Sequence, residues 1–120
     1  MVTIASLQRQ LAAFAAERDW QQFHTPKNLV MALTGEAGEL TEIFQWLTSD
    51  QAADIMADPG AAARVREEMA DVFSYLLRLA DVLGVDLESA LTEKIAANAV
   101  KYPVHTARSV ATKYTDLPDR

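Results

Sequence analysis

The chain has 120 residues, half of them hydrophobic, with only four glycines and four prolines, which fits one folded domain and excludes a disordered or fibrous chain. A formal charge of −6 argues against binding polymeric DNA or RNA, which needs many Lys and Arg phosphate contacts, yet leaves room for a small phosphorylated ligand held through cations. There is no cysteine, so disulfides and thiol chemistry are excluded.

Alanine and leucine are abundant and β-branched residues do not run together, so the expected fold class is all-α. A helical chain of this size has a thin core and is expected to bury further surface in an oligomer. The opening stretch, "MVTIASLQRQLAAFAAERDW", lacks a basic leader, and Gln8, Arg9 and Gln10 interrupt its apolar residues, so it does not read as a signal peptide. No later stretch is long enough to span a bilayer. A soluble, cytoplasmic protein without a membrane partner is the expectation.

The first helix is expected from about Thr3 to Gln22, with Ile4, Leu7, Leu11 and Phe14 at helical spacing. "FHTPKN" interrupts it; Thr25 caps the second helix and Pro26 suits its first position. That helix is expected to reach about Thr48. A polar connection with at most one short helical turn follows, closed by Pro59 and Gly60. The third helix spans about Ala61 to Leu83 and stops at Gly84. Asp86 caps the fourth, which ends before Pro103. The whole reads as a four-to-five-helix bundle over residues 1–102. Residues 103–120 are polar, without a clear period, and read as a mobile tail.

The second helix carries "GEAGELTEIFQW". At about 100° per residue, Glu36 falls inside the apolar stripe of Leu29, Leu33, Leu40, Ile43 and Phe44, roughly 40° from its centre. Glu39 lies at the edge with Trp46 beside it, and Glu42 lies on the polar side. In "REEMADVFSYLLRLAD" on the third helix, Glu68 borders the stripe, with Asp71 and Tyr75 on its side, while Glu67 points away. The pattern is Glu-x-x-Glu followed by Glu-x-x-Asp. Antiparallel helices would bring four carboxylates to one edge of the core. Two such charges about 4 Å apart repel by roughly 4 kcal/mol at an effective dielectric of about 20, so four need protons, basic partners or cations. Oxygen donors alone select hard cations: Mg²⁺, Mn²⁺ or Ca²⁺. A di-iron bundle needs Glu-x-x-His, and neither His24 nor His105 sits three residues after a glutamate. A metal site and a buried salt-bridge network both remain open from the residues alone.

On the fourth helix Lys94, Asn98 and Lys101 share the face of Leu87 and Leu91. Lys94 either pairs with a carboxylate, extends to water, or binds phosphate. Arg18, in line with the stripe of the first helix, is read as one half of a structural ion pair. His24 and Asn28 flank the start of the second helix. Trp46, near its end, serves either as packing or as a platform for a base.

"LAAFAAERDW", "FHTPKNLVMALTGEAGELTEIFQW", "EEMADVFSYLLRLAD" and "KYPVHTARSVATKYTDLP" together resemble the all-α nucleoside triphosphate pyrophosphohydrolases related to MazG, in particular their short dCTP pyrophosphatase branch. The resemblance covers roughly Leu11 to Pro118. It implies a helical catalytic domain over residues 1–102 that assembles as a homotetramer (a dimer of dimers) or a dimer. It implies Mg²⁺, with Mn²⁺ as a substitute, held by Glu36, Glu39, Glu68 and Asp71. It implies nucleotide contacts from His24, Asn28, Trp46, Tyr75, Lys94, Asn98 and Tyr102. Lys94 and Lys101, on the shared face of the fourth helix, are expected to steady the triphosphate. The expected reaction splits a (deoxy)nucleoside triphosphate, dCTP or a modified dCTP foremost, into monophosphate and pyrophosphate, to clear unwanted nucleotides. Glu39 is expected to orient the attacking water or take its proton. A broader triphosphate or phosphoribosyl-ATP pyrophosphohydrolase, and a non-catalytic nucleotide-sensing helical oligomer, are the alternatives.

Overall fold

Thr3 starts helix α1 (Ile4–Glu17): its hydroxyl accepts from the Ser6 amide, and the Ser6 hydroxyl accepts from the Thr3 amide. The computed structural model describes residues 1–118. α1 is shorter than its periodicity indicates. It stops because Asp19 adopts a left-handed conformation, φ 55°. The Trp20 amide then donates to the Ala15 carbonyl at 2.9 Å and the Asp19 amide to Ala16 at 3.1 Å, which closes the helix in a Schellman arrangement. Aspartate, not glycine, occupies that turn, so no glycine signal marks the stop. A short 3₁₀ turn, Gln21–Phe23, follows.

Helix α2 (Pro26–Phe44) begins as expected, with Thr25 accepting from the Asn28 amide. It ends four residues before the expected Thr48. Thr48 instead caps a new helix, α3 (Ser49–Ala53), through a reciprocal pair with Gln51. A 3₁₀ turn at Ile55–Ala57 completes the connection, so it holds two short helical turns where at most one was expected. Asp58 and Pro59 open α4 (Pro59–Leu83), and Gly84 ends it at φ 71°. Asp86 caps α5 (Leu87–Lys101) by accepting from the Ser89 amide. The expected mobile tail forms structure where it is described: a one-turn helix α6 (Val104–Ala107) and a 3₁₀ turn at Tyr114–Asp116. Asp119 and Arg120, the end of that expected tail, lie outside the described residues. The fold is all-α: six helices and three 3₁₀ turns among the described residues.

The residues gather into two compact units, Met1–Gly84 and a second that begins at Val85, so the expected boundary at residue 102 falls inside the second unit. In the first, α4 is central. It packs most extensively on α2 and less on α1. His24 meets Arg78 and Glu36 meets Glu68, so α2 and α4 run antiparallel. Ala15, Leu29, Val65, Leu77 and Ala80 form the buried apolar core, and Gln8 Nε2 donates to the Leu77 carbonyl at 3.0 Å. An open apolar groove of about 390 Å³ lies between α1 and α4, lined by Leu7, Leu11, Phe14, Phe73 and Leu77. In the second unit, Leu91, Ile95 and Val100 of α5 are exposed. No helix among the described residues is long and apolar enough to cross a membrane.

Candidate active site

Antiparallel packing of α2 on α4 sets the Glu-x-x-Glu turn against the Glu-x-x-Asp turn. Glu36, Glu39 and Glu68 each present an oxygen within 4.8 Å of the others. Glu36 and Glu68 are half-buried and Glu39 is exposed, in line with its position at the stripe edge. Asp71, one turn beyond Glu68, is exposed and stands outside that group of three, although its charge reaches both Glu36 and Glu68. Glu42 and Glu67 are exposed.

The electrostatics of the cluster are unbalanced. Glu36 Oε2 and Glu68 Oε2 are buried and meet no hydrogen-bond donor among the described residues. Burial, first, and then the neighbouring Glu39 and Asp71 push the Glu36 carboxyl from 4.5 up to about 7. Burial, followed by Glu39, raises Glu68 as well. Carboxylates left without donors hold protons or cations. The ion pairs Arg18–Glu17, 3.5 Å, and Arg78–Asp81, 3.4 Å, lie away from the cluster. Arg18 therefore has an acidic partner, as expected, but an exposed one, and its guanidinium lies over the Phe14 ring at 3.5 Å. Three convergent oxygen donors with two orphaned buried oxygens fit a hard divalent cation.

Farther along α4 a second feature appears. Leu11, Phe14, Trp20, His24, Ser74, Tyr75 and Arg78 line a pocket of about 110 Å³. The turn at Asp19 places Trp20 edge-on to Phe14 at 5.8 Å, the contact that commonly accompanies this kind of helix stop. Trp20 in turn lies 6.5 Å from the His24 ring. Arg78 Nε donates to His24 Nδ1 at 3.1 Å. Burial, and then the Arg78 charge, lower the His24 pKa. Tyr75 is seven residues beyond Glu68, nearly the same azimuth and about 10 Å along the axis. The pocket and the carboxylates thus occupy one side of α4.

The remaining expected contacts lie on other elements. Asn28 is exposed, and its amide donates to the Phe23 carbonyl at 3.1 Å, holding the turn before α2. Trp46 is 86% exposed and lies past the end of α2, where a helical-face count no longer applies. Trp46 and His24 flank a 19-residue helix, about 28 Å long at 1.5 Å per residue, so a single chain does not bring the two to the same base. Lys94, Asn98 and Lys101 lie on α5, and Tyr102 caps it. Within that unit the Tyr102 and Tyr114 rings meet edge-on at 6.0 Å, and Lys101 Nζ lies 5.1 Å from the Tyr114 ring centre.

Trp20 and Arg78 are pocket residues that sequence reasoning missed. Arg78 had a legible signal: Glu68, Asp71, Tyr75 and Arg78 continue a 3–4–3 spacing along one side of α4. Trp20 had none, because the expected helix ran through it.

Comparisons with known proteins give the family. Residues 32–117 match the MazG-like family. The chain is 47% identical over 116 residues to dCTP pyrophosphatase 1 of Mus musculus and, at the same identity, to that of Homo sapiens; the matches cover 97% of this chain and 68% of each relative. In three dimensions it is similar to a pyrophosphatase from Archaeoglobus fulgidus, with a TM-score of 0.79 and 38% identity, covering 86% of this chain and 94% of that one. With the family match spanning most of the sequence and relatives this similar over nearly its full length, the chain belongs to the MazG-like family.

Proposed function

We propose that this chain is a divalent-cation-dependent nucleoside triphosphate pyrophosphohydrolase acting on dCTP or a modified dCTP. The carboxylate cluster carries the reading: three glutamates from two helices converge within 4.8 Å, and two of their oxygens are buried without donors. The relatives named dCTP pyrophosphatase 1 support the substrate class.

Glu36, Glu39 and Glu68 would hold the ion, with Asp71, one turn beyond Glu68, completing the set. Mg²⁺, or Mn²⁺ in its place, supplies neutralisation of phosphate charge and activation of water when bound. Glu39, exposed at the margin, orients the attacking water and accepts its proton. Cleavage between the α and β phosphates releases monophosphate and pyrophosphate. The base enters the Trp20–His24–Tyr75 pocket, about 10 Å from the carboxylates along α4, a spacing suited to a nucleoside whose phosphates reach the glutamates. Lys94 and Lys101 steady the triphosphate, and Asn98 and Tyr102 serve as further contacts; their chemistry and the family resemblance support this.

A homotetramer built from two dimers, or a dimer, is the proposed assembly. Its support is the small buried core, the open α1–α4 groove and the exposed apolar residues of α5. Trp46 can share a base with Tyr75 only if it comes from a second copy. A soluble, cytoplasmic setting, without membrane or polymeric nucleic acid as partner, accords with the acidic charge.

The test is pyrophosphate release from dCTP with Mg²⁺. Turnover that Glu39→Gln and Asp71→Asn each lower by at least a hundredfold is expected. No release from any common nucleotide, or full rate in either variant, overturns the proposal.

A further inference from the structure

Arg78 is an unusual presence in this pocket. Its side chain is only 11% exposed, it sits among aromatic rings, and its anchor, Asp81, is itself 41% exposed. Arg78 Nη1 donates to Asp81 Oδ2 at 3.4 Å while Nε donates to His24 Nδ1 at 3.1 Å. A guanidinium has donors and no acceptor. The Nδ1 atom it meets must therefore present a lone pair, and the one ring proton of His24 must sit on Nε2.

We propose that Arg78 is a positioning residue that locks His24 in the neutral Nε2–H form, so that the pocket offers a fixed hydrogen-bond donor to the base. The inference rests on the reading of this pocket as the base site. Two further facts agree with it. Burial and the Arg78 charge both disfavour the imidazolium, so the neutral form, with its Nδ1 lone pair on Arg78, persists as pH falls. The Trp20 ring at 6.5 Å limits the imidazole's freedom to turn. A fixed donor suits a cytosine ring, whose N3 and O2 both accept. It mismatches uracil and thymine at N3, where the ring carries a hydrogen. A site built around such a donor discriminates more strongly than an apolar slot, because the mismatch leaves buried polar groups unpaired.

The chain has two histidines, so His24 is resolved from His105 by ¹⁵N–¹H NMR, with His24→Ala as the assignment control. In wild type, His24 is expected as the Nε2–H tautomer, titrating below 6.5. In Arg78→Met its titration should move up towards 6.5 and the two tautomers should mix; Arg78→Lys, which keeps charge and stem, guards against loss of fold and should mix tautomers with a smaller titration change. In kinetics, Arg78→Met should raise KM for dCTP about tenfold, leave kcat within about twofold, and lower the preference for dCTP over dUTP. An unchanged His24 titration and tautomer in both variants overturns the lock. A changed His24 with unchanged dCTP preference overturns the role in base selection. Trp20→Ala separates the underlying reading: if it leaves KM for dCTP unaltered, the pocket is not the base site, whatever Arg78 does to His24.

Discussion

Glu36→Gln is expected to stabilise the cation-free protein while removing its activity. Glutamine has the shape of a protonated glutamate and carries no charge to bury. The Glu36 carboxyl is raised from 4.5 to about 7, by burial first and by Glu39 and Asp71 next. At 1.36 kcal/mol per pH unit the ceiling on this effect is roughly 3.4 kcal/mol. The group is only half-buried, so solvent screening reduces it to about 1–2 kcal/mol. The sign follows from linkage. A carboxyl whose pKa is raised on folding binds its proton more tightly in the folded state, so stability is complete below pH 4.5 and is lost as pH rises through about 7. In EDTA at pH 8 the variant should melt about 4–8 °C above wild type, given the size of the chain, and the gap should close near pH 4.5. Adding Mg²⁺ should raise the wild-type Tm and leave the variant's nearly unmoved. Thermal melts by circular dichroism across pH 4.5–8, with EDTA and with Mg²⁺, measure all of this. A variant that melts at or below wild type in EDTA at pH 8, or a gap that does not vary with pH, refutes the reasoning.

Three further outcomes follow from the first unit. Leu77→Ala, at a side chain 2% exposed on the central helix, should cost about 2–5 kcal/mol in urea denaturation. Asp19→Val should cost about 1–2 kcal/mol because a β-branched residue resists φ 55°, and by moving Trp20 it should also raise KM for dCTP; Asp19→Gly should fold at least as well as wild type. Gly38→Ala meets open space around its new Cβ, so α2 should gain about 0.5–1 kcal/mol by denaturant titration. A loss there would mean that another helix closes on that face.

Particular residues show where reading from sequence succeeds. Thr25–Pro26 and Asp86 act as caps because their chemistry is local: a side-chain oxygen meets an amide three residues on. Glu36 was separable from Glu42 because both lie well inside one regular helix, where azimuth can be counted. The count failed at Trp20 and Trp46. Each lies past a helix end that the apolar period does not mark, one at an aspartate in a left-handed turn, the other two residues before a threonine that begins a new helix.

By itself, then, the sequence determined the four long helices, the inward turn of Glu36 and the carboxylate types available, since these depend on period, capping and donor chemistry over a few residues. Only the tertiary structure decided which carboxylates converge and which stands apart. It placed Glu36, Glu39 and Glu68 together with Asp71 at the margin, because that depends on the register of α2 against α4. It also joined His24 to Arg78, 54 residues apart, and turned Trp20 into their pocket. Such contacts are set by how helices stack and where they stop, and no spacing along the chain encodes them.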